Sequence, residues 1–284
     1  MHSIKKIGQR FWYITPISET DRPILGMVVG DRKTLMIDAG NSEKHAHYFL
    51  EELSKRQVPN PEIVVLTHWH WDHIFGLAAL RETVSISSDK TRKEMEKLIP
   101  LSWSDEAIDA RVKEGTEIEF CAKAIKNEYI DHRDIKIVLP DLTFEKQVEI
   151  DLGGITCIVQ HVGGDHAADS VVVYIQEEKI LFLGDCIYPD IFSEKENYTI
   201  KETLLLLDKL EAFDAKTYIL SHQRAISKEE FNQEAAMLRT IAKYTDTYSG
   251  NKQEIIDEYK KYVNRELTED EIITIDDFVN GYKG

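Results

Sequence analysis

The chain is short of positive charge. Its 35 lysines and arginines face 51 aspartates and glutamates, a net charge of −16 over 284 residues. A nucleic-acid binder needs a cationic track for the phosphates, and no stretch supplies one. Cysteine is scarce as well. Cys121, Cys157 and Cys186 are spaced neither as a disulfide scaffold nor as a zinc knuckle, and read as free, buried thiols in a reducing compartment. No segment reaches the roughly 18 consecutive apolar residues of a membrane span. The opening Met1-His2-Ser3-Ile4-Lys5-Lys6 lacks the apolar run of a signal peptide. These absences point to a cytoplasmic protein with a small-molecule substrate and neither a nucleic-acid nor a membrane partner. A homodimer is compatible with them. What remains is an ordinary globular composition, 42% apolar and 30% charged.

Against that background one run stands out. His68-Trp69-His70-Trp71-Asp72-His73 places three histidines and a carboxylate within one short stretch, directly after the apolar Ile63-Val64-Val65-Leu66. A hydrophobic core has no use for so much polarity. Neutral imidazole and carboxylate are ligands for zinc or a similar divalent ion. The run sits at the carboxyl end of a predicted strand, where open α/β units hold ligands. Trp69 and Trp71 either wall a cleft or pack beneath the loop. A helix is predicted from Phe75 to Arg81, begun tightly by Gly76.

Upstream, Phe11-Trp12-Tyr13-Ile14 reads as the first strand. Ile24–Val29 and Thr34–Ile37 form a hairpin around Gly30-Asp31-Arg32-Lys33. Ala46, Phe49, Leu50 and Leu53 line one face of a helix over about 42–56. His45 falls opposite Phe49 and is expected at the surface. Thr91-Arg92-Lys93-Glu94 has capping-box spacing, and Pro100 stops the helix it opens. Residues 88–130 form a charged, helical insertion that serves either as a lid on the site or as peripheral elaboration. Asp134–Leu139 reads as a strand, preceded by His132 as a weak substrate or support candidate.

Ligand-type residues then recur after successive strand signals. His166 follows the strand at 155–160, Asp185 follows Lys179–Leu183, and His222 follows Thr217–Leu220. One isolated histidine means little; the recurrence is what points to a metal site assembled from several strand ends.

The first run resembles the HxHxDH signature of the metallo-β-lactamase superfamily of hydrolases. The later elements follow in order: His166 in Asp-His-Ala-Ala-Asp-Ser, Asp185 after Phe182-Leu183-Gly184, and His222. Asp38-Ala39-Gly40 is similar to the turn closing the family's early strand. The resemblance covers roughly residues 10–225 and implies an α+β fold, an αββα sandwich of two mixed sheets flanked by helices. It divides the chain into a catalytic domain over 1–226 and a helical C-terminal extension over 227–284. It also implies two divalent ions, most often zinc, with iron or manganese as alternatives. His68, His70 and His166 are then expected to hold one ion; Asp72, His73 and His222 hold the second, and Asp185 bridges them. Asp165 and Ser221-His222-Gln223 depart from the family's usual glycines without removing a ligand.

The expected chemistry is hydrolysis of a small ester, lactone or thioester by an activated water, with Asp72 as ligand and proton shuttle. A phosphodiesterase is the alternative. β-Lactam hydrolysis ranks lower because Asp185 stands where the zinc β-lactamases carry cysteine. A non-catalytic metal-binding protein is the reading from a different class. Tyr188 lies three residues after Asp185, a spacing similar to that of the family's acyl-homoserine lactonases, where a tyrosine assists the carbonyl oxygen. Asp169 is a candidate to orient His70 or His166. The C-terminal tail, with capping-box spacing at Ser227/Glu230 and Thr268/Glu271, is expected to pack without taking part in catalysis.

Overall fold

A computed structural model describes residues 2–130 and 133–283. The first half is built from β1 (Ile4–Ile7), β2 (Phe11–Ile14), β3 (Gly26–Val29), β4 (Thr34–Ile37), α1 (Glu43–Ser54), β5 (Ile63–Val65), α2 (Trp71–Ile74), β6 (Val84–Ser88), α3 (Asp89–Leu98), α4 (Asp105–Glu114), α5 (Glu119–Glu128) and β7 (Leu142–Phe144). Its seven strands lie in sequence order in one sheet. β1 to β4 pair antiparallel through hairpin connections, and β4 to β7 pair parallel.

The second half adds β8 (Gln147–Asp151), β9 (Thr156–His161), β10 (Val171–Ile175), β11 (Ile180–Gly184), α6 (Ile200–Glu211), β12 (Thr217–Leu220), β13 (Ala225–Ser227), α7 (Lys228–Thr247), α8 (Lys252–Val263) and α9 (Glu269–Gly281). Its sheet runs β13-β12-β11-β10-β9-β8. The β11/β12 pair is parallel, so both strands end at the same edge.

Burial on both faces explains the continuous apolar strands. In β11, Ile180 and Phe182 point between the sheets, where they meet Phe11, Leu35 and Val65 from the other half. Leu181 and Leu183 alternate outward beneath α6 and the C-terminal helices. Val64 alternates with Val65 in the same way, under α1 and the α3–α5 insertion. Each fully buried Leu, Ile or Phe contributes about 1.5–3 kcal/mol over exposure, so the sandwich interior and the two sheet–helix layers all stabilise the fold. The result is the expected αββα sandwich, with helices beyond its core.

Several local expectations need correction. Residues 134–139 are not a strand. Ile135, Ile137 and Leu139 pack on the helical side of the first sheet, and the pairing strand is β7, three residues further on. Where a helix is predicted from Phe75 to Arg81 there is a 3-10 turn over Phe75–Ala79, directly after the single turn of α2. The cap of α3 is Ser88, whose hydroxyl accepts from the Thr91 amide; Thr91 does not itself open the helix. His45 is fully buried, because the N-terminal segment covers α1 and His2 packs edge-on against the His45 ring. In the C-terminal helices Tyr262 and Ile272 are exposed. The capping boxes at Ser227/Glu230 and Thr268/Glu271 both form. His132 lies outside the described residues. Among the described residues no helix is long and apolar enough to cross a membrane.

Candidate metal centre

Backbone hydrogen bonds stitch the two sheets together at one edge. Val171 N donates to Thr67 O at 2.9 Å, and Ile24 N donates to Ser221 O at 2.7 Å. β5 therefore delivers Thr67–His73 to the place where β11 and β12 end. The histidine run is held against the Asp38 turn by close backbone contact. Ala39 N donates to His73 O, and a Cβ on Gly76 would stand 2.0 Å from the Ala39 carbonyl oxygen. Only glycine fits there, so the turn and the run are locked face to face.

All seven ligand candidates converge. His68, His70 and His166 present nitrogens within 4.8 Å of one another, and Asp72, His73, Asp185 and His222 form a second such group. Asp185 stands between them. Its Oδ2 is 3.1 Å from Nε2 of His73 and of His222, 3.6 Å from Nε2 of His166 and 3.9 Å from Nε2 of His68. Asp72 Oδ2 lies 3.0 Å from His73 Nε2 and 3.1 Å from His222 Nε2.

The outer ring nitrogens are anchored. His73 Nδ1 lies 2.8 Å from Asp38 Oδ2, and Asp38 also accepts from Thr67 N and Oγ1. His68 Nδ1 is 3.1 Å from Thr67 Oγ1, His166 Nδ1 donates to Pro189 O at 3.0 Å, and His222 Nδ1 is 3.3 Å from Asp21 Oδ1. Fixing Nδ1 aims Nε2 inward, as metal-binding histidines require. Of these supports, Asp21 was invisible in the sequence. It projects from a loop after a short 3-10 turn, with no spacing that ties it to His222. The Asp169 carboxylate makes no hydrogen bond to His70 or His166; it is buried beside Thr91 and the Trp69 backbone. Asp165 accepts from Thr199 N, Thr199 Oγ1 and Thr203 Oγ1, so it anchors the start of α6.

The donor set fits two divalent ions. Nε2 of His68, Nε2 of His166 and Oδ1 of Asp185 are buried without a hydrogen-bond partner, a costly state unless something else binds them. Burial pushes His68, His70 and His166 below the usual imidazole range, which keeps them in the neutral, ligating form. Burial also opposes charge on His73 and His222, yet the surrounding carboxylates raise both overall. The second group thus demands positive charge, which a cation would provide.

Beside the two groups lies a cavity of about 300 Å³. Trp71 walls it, whereas Trp69 packs its ring on His70 and tilts against Phe192. Phe120 and Cys121 of α5 line it as well, so the helical insertion does reach the site. All three cysteines are free and buried, and none belongs to either ligand group. Tyr188 borders the cavity with its ring 6.0 Å from that of His166. Its hydroxyl is buried beside the His222 backbone amide without a well-formed hydrogen bond.

The model of the metallo-beta-lactamase superfamily matches residues 22–222, ending on the last ligand. The chain belongs to that superfamily. Two curated relatives are similar to it. The linear primary-alkylsulfatase of a Pseudomonas species is 22% identical over 87% of this chain and 48% of its own length. The acyl-coenzyme A thioesterase MBLAC2 of Gallus gallus is 25% identical over 63% of this chain and 62% of its own length. The chain therefore spans about half to three-fifths of these relatives. Solved metallo-beta-lactamases from Pontibacter korlensis and Hirschia baltica match with TM-scores of 0.59 and 0.57. They share 20% and 16% identity, cover 83% of this chain, and are themselves covered to 98% and 96%. At that identity they speak for the fold. The chain thus carries an intact dinuclear ligand architecture on this superfamily's scaffold.

Proposed function

We propose that the enzyme hydrolyses small esters, lactones or thioesters whose acyl part is apolar and uncharged. One observation carries this reading. The cavity beside the ligand groups is walled by Trp71, Phe120, Ile191 and Phe192, and among its described lining residues there is no lysine or arginine. A phosphate or sulfate group held in this cavity would have no guanidinium or ammonium partner there. An aliphatic or aromatic acyl group gains from burial against those walls. The name of one curated relative, an acyl-coenzyme A thioesterase, carries an acyl thioester, which agrees with this reading.

In this reading His68, His70 and His166 would hold one ion, Asp72, His73 and His222 would hold the other, and Asp185, standing between the two groups, would serve both. Zinc is the proposed ion, on the strength of five imidazole nitrogens. A bound divalent pair supplies Lewis-acid polarisation and makes water a nucleophile near neutral pH. Asp72 faces the cavity and accepts the proton released by the attacking water, then returns it to the leaving group. Tyr188 donates its hydroxyl to the carbonyl oxygen as negative charge develops there. Burial, with Asp185 nearby, pushes that phenol well above its usual range, so it stays protonated and able to donate.

A panel of acyl esters, lactones, thioesters, phosphodiesters and β-lactams, assayed on zinc-loaded enzyme, tests the proposal. Turnover of apolar acyl substrates, lost on chelation and restored by zinc, is the expected result. Turnover confined to phosphodiesters would replace the reading with phosphoryl hydrolysis.

A further inference from the structure

One wall of the cavity is not part of the sandwich. Residues 189–199 leave the end of β11 as an excursion, and Ile191, Phe192 and Glu196 from it line the cavity. The excursion is closed at its neck. Asp190 N donates to Asn197 O at 3.0 Å, and Asn197 N donates back to Asp190 O at 3.1 Å. The Asp190 carboxylate also accepts from Phe192 N at 2.8 Å and from Ser193 Oγ at 2.5 Å.

The neck is gripped from outside by α9. Tyr198 N donates to Asp277 O at 3.1 Å, and Asn280 Nδ2 donates to Glu196 O at 2.9 Å. The Tyr198 ring stacks on Phe278 with centroids 5.1 Å apart, and its hydroxyl donates to Ile187 O at 2.9 Å. Gly281 sits so close that a Cβ there would stand 2.2 Å from Tyr198 O. These contacts fall on Glu196 and Tyr198, at the base of the wall. They come from a helix that lies beyond residue 222, where the family match ends. Loops of this kind otherwise sample many conformations, and each pinned backbone group removes some of that freedom.

We propose that α9 sets the acyl selectivity of the enzyme, with Asn280 and Gly281 as positioning residues for the cavity wall. The proposal rests on the reading of the cavity as an acyl site. A short acyl group stays at the ligand end, where of the wall it meets at most Phe192, whose ring lies 5.1 Å from that of His70, so it depends little on the rest of the wall. A longer one must lie along Ile191 and Phe192, so its affinity depends on the wall being held in place. The C-terminal extension then takes part in substrate choice without touching the reacting atoms.

Hydroxamates test this without turnover, because the chelating head is constant and the tail varies. Binding of octanohydroxamate and acetohydroxamate would be measured calorimetrically on zinc-loaded, full-length enzyme. The variants are Asn280→Ala, Gly281→Ala and, as a control on the exposed side of the same helix, Ile273→Ala. The preference for the long tail is expected to fall about threefold in Asn280→Ala, the scale of a weak exposed hydrogen bond. Gly281→Ala should lower it about tenfold, because the neck must shift to admit the methyl group. Acetohydroxamate affinity and zinc content should stay constant in both, and Ile273→Ala should match the parent throughout. Amide hydrogen exchange over residues 189–199 should rise in the two neck variants. An unchanged long-to-short ratio in both neck variants overturns the proposal, as does an equal fall in the Ile273→Ala control. Failure of every acyl substrate to turn over would remove the hydrolase reading but leave this ratio intact, so the two failures are distinguishable.

Discussion

Nδ1 of His73 lies 2.8 Å from Oδ2 of Asp38, and both side chains are fully buried. With its proton held at Nδ1, the ring is left to present Nε2 to Asp72 and Asp185. Asp38 holds this position in a left-handed backbone conformation, φ 61°, which aspartate and asparagine tolerate better than most residues. Asp38→Asn keeps that tolerance and the shape but removes the charge. Zinc affinity, measured by competition with a chromophoric chelator, should fall about 10- to 100-fold, the usual cost of losing an outer-ring partner. Affinity equal to the parent would mean that the Asp38 contact does not tune the ligand.

Tyr188 provides a cleaner separation of chemistry from metal binding. Tyr188→Phe keeps the ring near His166 and removes only the hydroxyl. The expected outcome is full zinc content with kcat on lactones and esters reduced about 10- to 100-fold, and KM little changed, since the donor acts on charge that develops only in the transition state. An unchanged kcat would leave Tyr188 as a packing residue.

A third prediction concerns pH and the C-terminal helix. Burial, reinforced by Glu196 and Asp276, pushes the Asp277 carboxyl up from 3.8 to about 6. The folded state thus holds this proton more tightly than the unfolded state does. Stability from this group is fully present below about pH 4, falls as pH rises through about 6, and stays lower above that. Asp277→Asn removes the charge and keeps the backbone carbonyl that accepts from Tyr198. Thermal unfolding should show a Tm gain of about 2 °C near pH 8 that vanishes below about pH 4. A gain of the same size at every pH would assign the effect to something other than ionisation.

The ligand set was legible because it is written locally. His68 to His73 forms one run, and His166, Asp185 and His222 each follow an apolar strand. The sandwich was legible for the same reason: strands such as Ile180–Gly184 are apolar on both faces because both faces are covered. What escaped depends on partners far away in the chain. Asp21 meets His222 only after folding. The hold of Asn280 and Gly281 on Glu196 and Tyr198 leaves no periodicity to read. Ile135, Ile137 and Leu139 alternate as a strand would, but hydrogen-bonded pairing is decided by neighbours, and there β7 takes the edge instead. His45 illustrates the reverse case, a helix face that looks polar and free until the N-terminal segment closes over it.

The most direct test is a zinc titration of metal-stripped enzyme, following bound zinc and hydrolysis of an uncharged apolar acyl ester together. The account predicts two ions per chain, with hydrolysis rising until the second site fills. Fewer than two bound ions at saturation, or a fully loaded protein that leaves the ester intact, would contradict it.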